Sequence, residues 1–254
     1  MKSNPTIELL MSHRSVRSFE EKPVSEDTIS VILNAAQMAP TSSYLQAYTI
    51  IRVSDRSKRI ILKEASEGQP WIESAPLVLL FCADLCRLDN MLPVKDSNIP
   101  HNAELFTVAV TDTALCAQRA LIAAQSLGLG GVFVGGIRND LPSVAKTFSL
   151  PNLVFPLFAL CMGYPSAIPA QRPRMPLSFI YADDCYPELP NPDMLEEYDN
   201  TVLDYFREIT EGKSHHGWIS RACHALESKP RYGVSSFLKS SGFLLSDSPA
   251  NTDV

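Results

Sequence analysis

The chain has 254 residues, 45% of them hydrophobic and 20% charged, and a formal net charge of −6; its isoelectric point is about 5.4 and its mean hydropathy is close to zero. That length buries a substantial core, as one large domain or two small ones, and the composition is that of a globular chain rather than a disordered one. The acidic balance excludes general nucleic-acid binding, which needs Lys and Arg to neutralise many phosphates, so any phosphate bound here must be small and met by a local cluster.

Asn4-Pro5 reads as an N-cap with proline at the first helical position, opening a short helix through about Ser12. Directly behind it, "HRSVRSF" (13–19) gathers His13, Arg14 and Arg17, with Ser15 adding a hydroxyl. On a helix, positions three and four apart share a face, so the spacing predicts His13 and Arg14 aligned with Arg17. Such a cluster is either a solvated helix end or an anion holder. Ser25 caps a second helix, with Ile29, Ile32, Leu33 and Ala36 at helical spacing and Pro40 as its stop. "YTIIRV" (48–53) reads as a strand, "SDRSKRIILKEAS" (54–66) as a capped amphipathic helix, and "PLVLLFCAD" (76–84) as a buried strand without polar alternation.

Residues 86–102 read as a loop or irregular excursion. The stretch 103–128 predicts a long helix, apolar on nearly every side and therefore enclosed by the core or by a second subunit, with Gly128 ending it. "GGVFVGGI" (130–137) and "FPLFALCMG" (155–163) read as two further strands. Four or so strands interleaved with helices predict an α/β or α+β class. A Pro-rich and helical excursion follows at 164–240 within a domain spanning 1–240, and 241–254 is expected to fray. The apolar strand runs are shorter than the roughly 20 residues of a membrane span, and the N-terminus carries no leader-like core, so no membrane partner is expected. The six cysteines are scattered, with only Cys82 and Cys86 close together. They read as reduced thiols in a cytoplasmic protein that binds no metal.

Chemistry-bearing motifs are few. "RPR" (172–174) sets Arg172 and Arg174 about a stiff proline, a sensible build for a phosphate clamp. "APTSSYLQAY" (39–48) offers Thr41, Ser42, Ser43 and Gln46, suited to a sugar or ribityl chain or simply a Ser-rich loop. "VGGIRN" (134–139) permits close backbone approach to a flat ligand. No G-x-G-x-x-G is completed, since Phe133 stands where the third glycine would be, so a Rossmann dinucleotide site is unsupported.

In order, "ELLMSHRSVRSF", "APTSSYLQAY", Gly68-Gln69 before an aromatic, "LIAAQSLGLGGVFVGGIRN" and "RPRMP" resemble the flavin-dependent nitroreductase and NADPH-dependent flavin reductase family over residues 6–240. The resemblance implies an α+β, three-layer domain with a mixed, mainly antiparallel sheet flanked by helices, in an intertwined homodimer. It implies bound FMN, with NADPH or NADH as hydride donor. Nitroaromatics, quinones or free flavin would be reduced in ping-pong fashion through flavin N5. His13, Ser15 and Arg174 would hold the FMN phosphate with Arg172 beside it. Arg17 would lie near the N1/O2 edge of the ring, with Arg14 lining the same pocket. Thr41, Ser43 and Gln46 would meet the ribityl chain or ring edge, some from the partner subunit. Gln69 would meet the pyrimidine edge, and Val134, Gly135 and Gly136 would line the ring, the Gly135 amide at N5. No side chain is named as catalytic acid or base. The rival readings are a dedicated flavin reductase with incidental nitroreductase activity, a flavin- or nucleotide-phosphate-binding module without turnover, and an interaction protein whose arginines are surface charge.

The resembled branch grips the 2′-phosphate of NADPH with loop arginines between a tyrosine pair and a later tryptophan. The corresponding "YFREITEGKSHHGW" (205–218) holds Lys213 as its one firm loop cation, with Arg207 before it and Arg221 beyond. That count predicts only modest selectivity for NADPH over NADH.

Overall fold

The computed structural model describes residues 4–92, 101–228 and 230–243. The chain forms two compact units, Met1–Ile168 with Arg231–Val254, and Pro169–Pro230. The boundary expected at 164–240 is thus drawn differently: the separate unit is shorter, and the chain after it rejoins the first. Four strands, β1 (Tyr48–Arg52), β2 (Leu77–Asp84), β3 (Gly130–Val134) and β4 (Val154–Gly163), build one sheet in the order β1-β2-β4-β3. All three ladders are antiparallel. The expected mixed character survives only as an isolated parallel bridge between Ser15 and Gly131.

The helices start where side chains can cap them. Asn4 accepts from Ile7 N–H ahead of α1 (Pro5–Met11), Ser25 from Thr28 N–H ahead of α2 (Glu26–Gln37), and Asp55 from Ser57 and Lys58 N–H ahead of α3 (Arg56–Ala65). Then come α4 (Trp71–Ser74), α5 (Cys86–Met91), α6 (Ala103–Ser126) and α7 (Leu141–Thr147). The second unit holds α8 (Pro192–Ile209) and α9 (Trp218–Ser228), and α10 (Gly233–Ser240) returns to the first. Where an irregular excursion was expected from residue 86, Cys86–Met91 form α5; residues 93–100 lie outside the described residues.

All eight residues of β2 are buried because both faces of the sheet are covered. Leu77, Leu79 and Phe81 pack with residues of α2 and α6, while Val78, Leu80 and Cys82 pack with residues of α3, α4 and α7. This is a three-layer α+β arrangement. Pro156 interrupts β4 opposite a register shift between Phe81 and Cys82, the place where a missing N–H disturbs the ladder least. Helix α6 turns Ala109, Thr113, Cys116, Ala117, Ala120 and Ala124 inward. Its outer face is mixed rather than apolar: Thr107, Thr111, Gln118 and Arg119 are exposed beside Ala114 and Leu115. It is the one described helix long and apolar enough to cross a membrane, by length and composition, but its inner face is packed on the sheet. Of the tail expected to fray, Ser241 and Phe243 are instead buried, with Phe243 stacked edge-on to Phe106. Residues 244–254 lie outside the described residues.

Candidate functional site

The segment 13–19 is not helical, which corrects the shared-face expectation for His13, Arg14 and Arg17. Helix α1 ends at Met11, and the chain then runs beside β3, the edge strand, with bridges at Ser15–Gly131 and Phe19–Pro165. Val16 N–H donates to Gly131 O at 3.0 Å and Glu20 N–H to Tyr164 O at 2.8 Å. Unpaired groups of an edge strand invite such cover. A Cβ on Gly130 would stand 2.5 Å from Val16 Cγ2, so the close approach requires glycine there. Alternation along an extended segment sets His13, Ser15 and Arg17 opposite the buried Val16.

Around this segment the first unit gathers most of the sequence-predicted residues. His13 Nδ1 is 3.1 Å from Gln125 Nε2 near the end of α6. The Arg17 guanidinium lies 5.4 Å from the centre of the Trp71 ring, and donates to Ser15 O at 3.2 Å. Trp71 opens α4 two residues after Gln69. Gln69 Nε2 sits 2.8 Å from where a Cβ on Gly136 would be, with buried Ser66 behind it. Thus Arg17, Gln69, Trp71 and the turn after Val134 form neighbouring walls. Two side-chain donors, Trp71 Nε1 in this wall and Arg14 Nε on the 13–19 segment, are buried without a hydrogen-bond partner. Buried donors of this kind cost about 1–3 kcal/mol each when left unmatched, which marks a place where an acceptor belongs. Sequence reading used Trp71 only as the aromatic that follows Gly68-Gln69 and gave it no role in the site.

Thr41, Ser43 and Gln46 stand apart. Ser43, Tyr44 and Gln46 adopt φ of 47°, 59° and 53°, the left-handed region that non-glycine residues enter only when held. What holds them is Asp112 on α6, which is 1% exposed and accepts from Ser42 N–H at 2.9 Å and Ala47 N–H at 3.1 Å. Arg87 adds donations to Gln46 O (2.6 Å) and Tyr48 O (2.8 Å). Asp112 and Gln125 are separated by a helical rise of about 20 Å along α6. One chain therefore anchors its hydroxyl segment and its His13 segment far apart, and does not bring Thr41, Ser43 and Gln46 to Arg17.

Arg172 and Arg174 belong to the second unit, whose own cavity of about 630 Å³ is lined by both arginines together with Tyr198, Phe206, Trp218 and Arg221. No acidic side chain lines it. Burial pushes the Tyr198 phenol up, against the opposing charge of Arg174. Elsewhere burial raises the Cys116 thiol to about 11 and the Cys161 thiol to about 12, which leaves these two unreactive. Among the described residues no group of three or more His, Cys, Asp or Glu is placed to hold a metal ion.

Comparison with known proteins yields matches along nearly the whole chain. Residues 10–164 match the Nitroreductase family, and residues 172–246 match the Nitroreductase family, C-terminal domain. FMN reductase (NADPH) of Bacillus subtilis is 38% identical over 246 residues, covering 94% of this chain and 98% of that protein. Oxygen-insensitive NADPH nitroreductase of Salmonella typhimurium is 39% identical over 211 residues, covering 83% and 85%. The solved structure of a nitroreductase from B. subtilis superposes with a TM-score of 0.89 at 38% identity, covering 94% of this chain and 98% of that one.

Proposed function

Since the chain belongs to the nitroreductase family, we propose that it is an FMN-dependent NAD(P)H oxidoreductase that reduces nitroaromatics, quinones or free flavin. The observation that carries the reading is the buried, unmatched Trp71 Nε1, two residues after the Gln69 whose side chain a Cβ on Gly136 would meet, with Arg14 Nε a second unmatched donor on the 13–19 segment. A flat, acceptor-rich ring fits such a place, because it supplies acceptors to the donors and needs the backbone bare beneath it. When bound, FMN supplies the two-electron chemistry: it accepts hydride from the nicotinamide and passes electrons to the acceptor.

The protein's part is binding, orientation and charge. Arg17 and Gln69 take the polar edge of the ring, with Arg14 lining the same pocket. Val134, Gly135 and Gly136 line the ring without covering it, so donor and acceptor can use one open face in turn. His13 and Ser15 hold the phosphate end. No side chain is required to move a proton.

The same reading includes a homodimer in the cytoplasm. Its support is the distance along α6 between the anchors of the 41–46 segment and of His13, together with exposed Leu115 on that helix. A hydroxyl segment that cannot serve its own chain's arginines can serve those of a second copy. The test is direct. Purified protein is expected to be yellow, absorbing near ~450 nm, to bleach with NAD(P)H and to regain colour on adding a quinone, nitroaromatic or free flavin. Colour without bleaching would make it a binding module, and recovery with free flavin alone would make it a dedicated flavin reductase.

A further inference from the structure

Arg138 is a charge without a counter-ion, set beneath the turn that lines the proposed ring site. Gly135–Asp140 form a 3₁₀ helix immediately after β3. Residues three apart eclipse in such a helix, so the side chain of Arg138 falls back under Gly135. A Cβ on Gly135 would stand 2.9 Å from Arg138 Nη2, 3.0 Å from Nη1 and 3.3 Å from Cζ, so the guanidinium fills the space that any other residue at 135 would need. Arg138 Nη1 donates to Leu157 O of β4. Leu157 is passed over in the register with β2, where Phe81 pairs with Phe158 and Cys82 with Pro156. It also lies beyond Val134–Ala159, the last pair with β3. The guanidinium thus joins β4 to the turn at the point where β3 has left the sheet.

The electrostatics around Arg138 are unbalanced. Burial disfavours its cation, and the like charge of Arg231 disfavours it further. Among the described residues no carboxylate pairs with it. Asp140, the nearest carboxylate in the chain, instead caps α7 by accepting from Ser143 N–H at 3.1 Å, and Glu67 accepts from the Asn139 amide at 3.0 Å. A cavity of about 340 Å³ that Arg138 lines with Leu141, Ser236, Phe237 and Ser240 has no acidic side chain in its wall. A half-buried cation without a partner gains most from negative charge that develops near it. Reduction adds negative charge to a flavin ring, so a cation fixed beneath the ring's lining favours the reduced cofactor over the oxidised one.

We propose that Arg138 is a positioning residue for the flavin ring: it locks the Gly135 turn to β4 and biases the bound cofactor toward its reduced form. The inference rests on the oxidoreductase reading and adds to the ring-lining residues one that acts through another, Gly135.

Wild type, R138M, R138K and R231Q are loaded with FMN and titrated with dithionite against reference dyes, which reads the midpoint potential without turnover. Fluorescence titration gives the affinity for oxidised FMN, and urea unfolding of the apoproteins gives stability. R138M, close in length but neutral, is expected to weaken binding of reduced FMN about tenfold more than binding of oxidised FMN, lowering the midpoint by about 30 mV for a two-electron couple. In steady state its kcat should fall with little change in KM for NADH or NADPH. R138K keeps the charge and loses the planar fork, so it should restore more than half of the potential while oxidised FMN still binds several-fold more weakly than to wild type. R231Q removes a charge held on Asn139, Nε to Oδ1 at 2.7 Å, rather than beneath Gly135, and should leave the midpoint unchanged. Lost stability with equal weakening of both flavin forms would make Arg138 a clamp of the fold alone and overturn the proposal. A midpoint as low in R138K or R231Q as in R138M would overturn it too. Wild type that holds FMN but is bleached by neither dinucleotide would refute the oxidoreductase reading alone, because the dithionite titration still decides the role of Arg138; wild type that holds no FMN would refute both.

Discussion

Replacing Asp112 by Asn tests the link between α6 and the hydroxyl segment. Both carboxylate oxygens are in use, one on Ser42 N–H at 2.9 Å and one on Ala47 N–H at 3.1 Å, from a position 1% exposed. Asn is nearly the same shape, but its amide nitrogen cannot accept, so one N–H keeps a partner and the other meets a donor. Losing one bond to a charged acceptor costs about 1.5–3 kcal/mol, and the stranded donor adds about 1 kcal/mol or more. Asp112→Asn should therefore destabilise the protein by about 3 kcal/mol, or roughly 6–12 °C in Tm for a domain of this size. The anchor also holds Ser43, Tyr44 and Gln46 at positive φ, which costs of order 1 kcal/mol per residue and relaxes once the anchor is gone. FMN affinity should then fall about tenfold, since about 1.4 kcal/mol of reorganisation corresponds to that factor. Urea unfolding of apoprotein gives the first quantity, and fluorescence titration with FMN the second. A cycle with Gln46→Ala should be non-additive in flavin affinity, because both changes act on one segment. Lost stability with unchanged FMN affinity would refute the assignment of residues 41–46 to the cofactor site.

Gly136→Ala should reduce bound flavin by about tenfold with a stability loss of about 1–3 kcal/mol, because the new Cβ meets Gln69 at 2.8 Å and the Ser66 backbone at 3.2 Å, and backbone cannot swing aside; the flavin-to-protein absorbance ratio after gel filtration checks it. Leu115→Glu puts a charge on the exposed face of α6 and should convert the proposed dimer to monomer with loss of FMN, read by sedimentation velocity. Glu73, bonded to Lys63 and Arg56, has its carboxyl held below the ordinary value by those two cations. A depressed folded-state value contributes stability that is present above the unfolded value and lost as pH falls through the folded one. The difference in urea midpoint between wild type and Glu73→Gln should thus be seen at neutral pH and vanish in acid below the ordinary carboxylate range.

Much of the architecture was legible in the order of residues, because local chemistry decides it. Asn4, Ser25 and Asp55 cap their helices through contacts two or three residues away, and the unbroken apolar run of β2 can only mean a strand covered on both faces. The ordered motifs identified the family and nominated most residues around Arg17 and Gly136. What the tertiary structure alone decided concerns partners distant in sequence. The spacing of His13, Arg14 and Arg17 suits a helical face, but an unpaired edge of β3, more than a hundred residues later, supplies hydrogen bonds that a one-turn extension of α1 could not match. Asp112 is one carboxylate in an apolar helix; its role exists only where the chain returns Ser42 and Ala47 to it, 70 and 65 positions away. Arg221 counts as lying beyond its loop until α9 folds back and sets it on Phe206. Hydrogen bonds and ion fields act over a few ångströms of space, whatever the separation along the chain, so such residues show their function only in three dimensions.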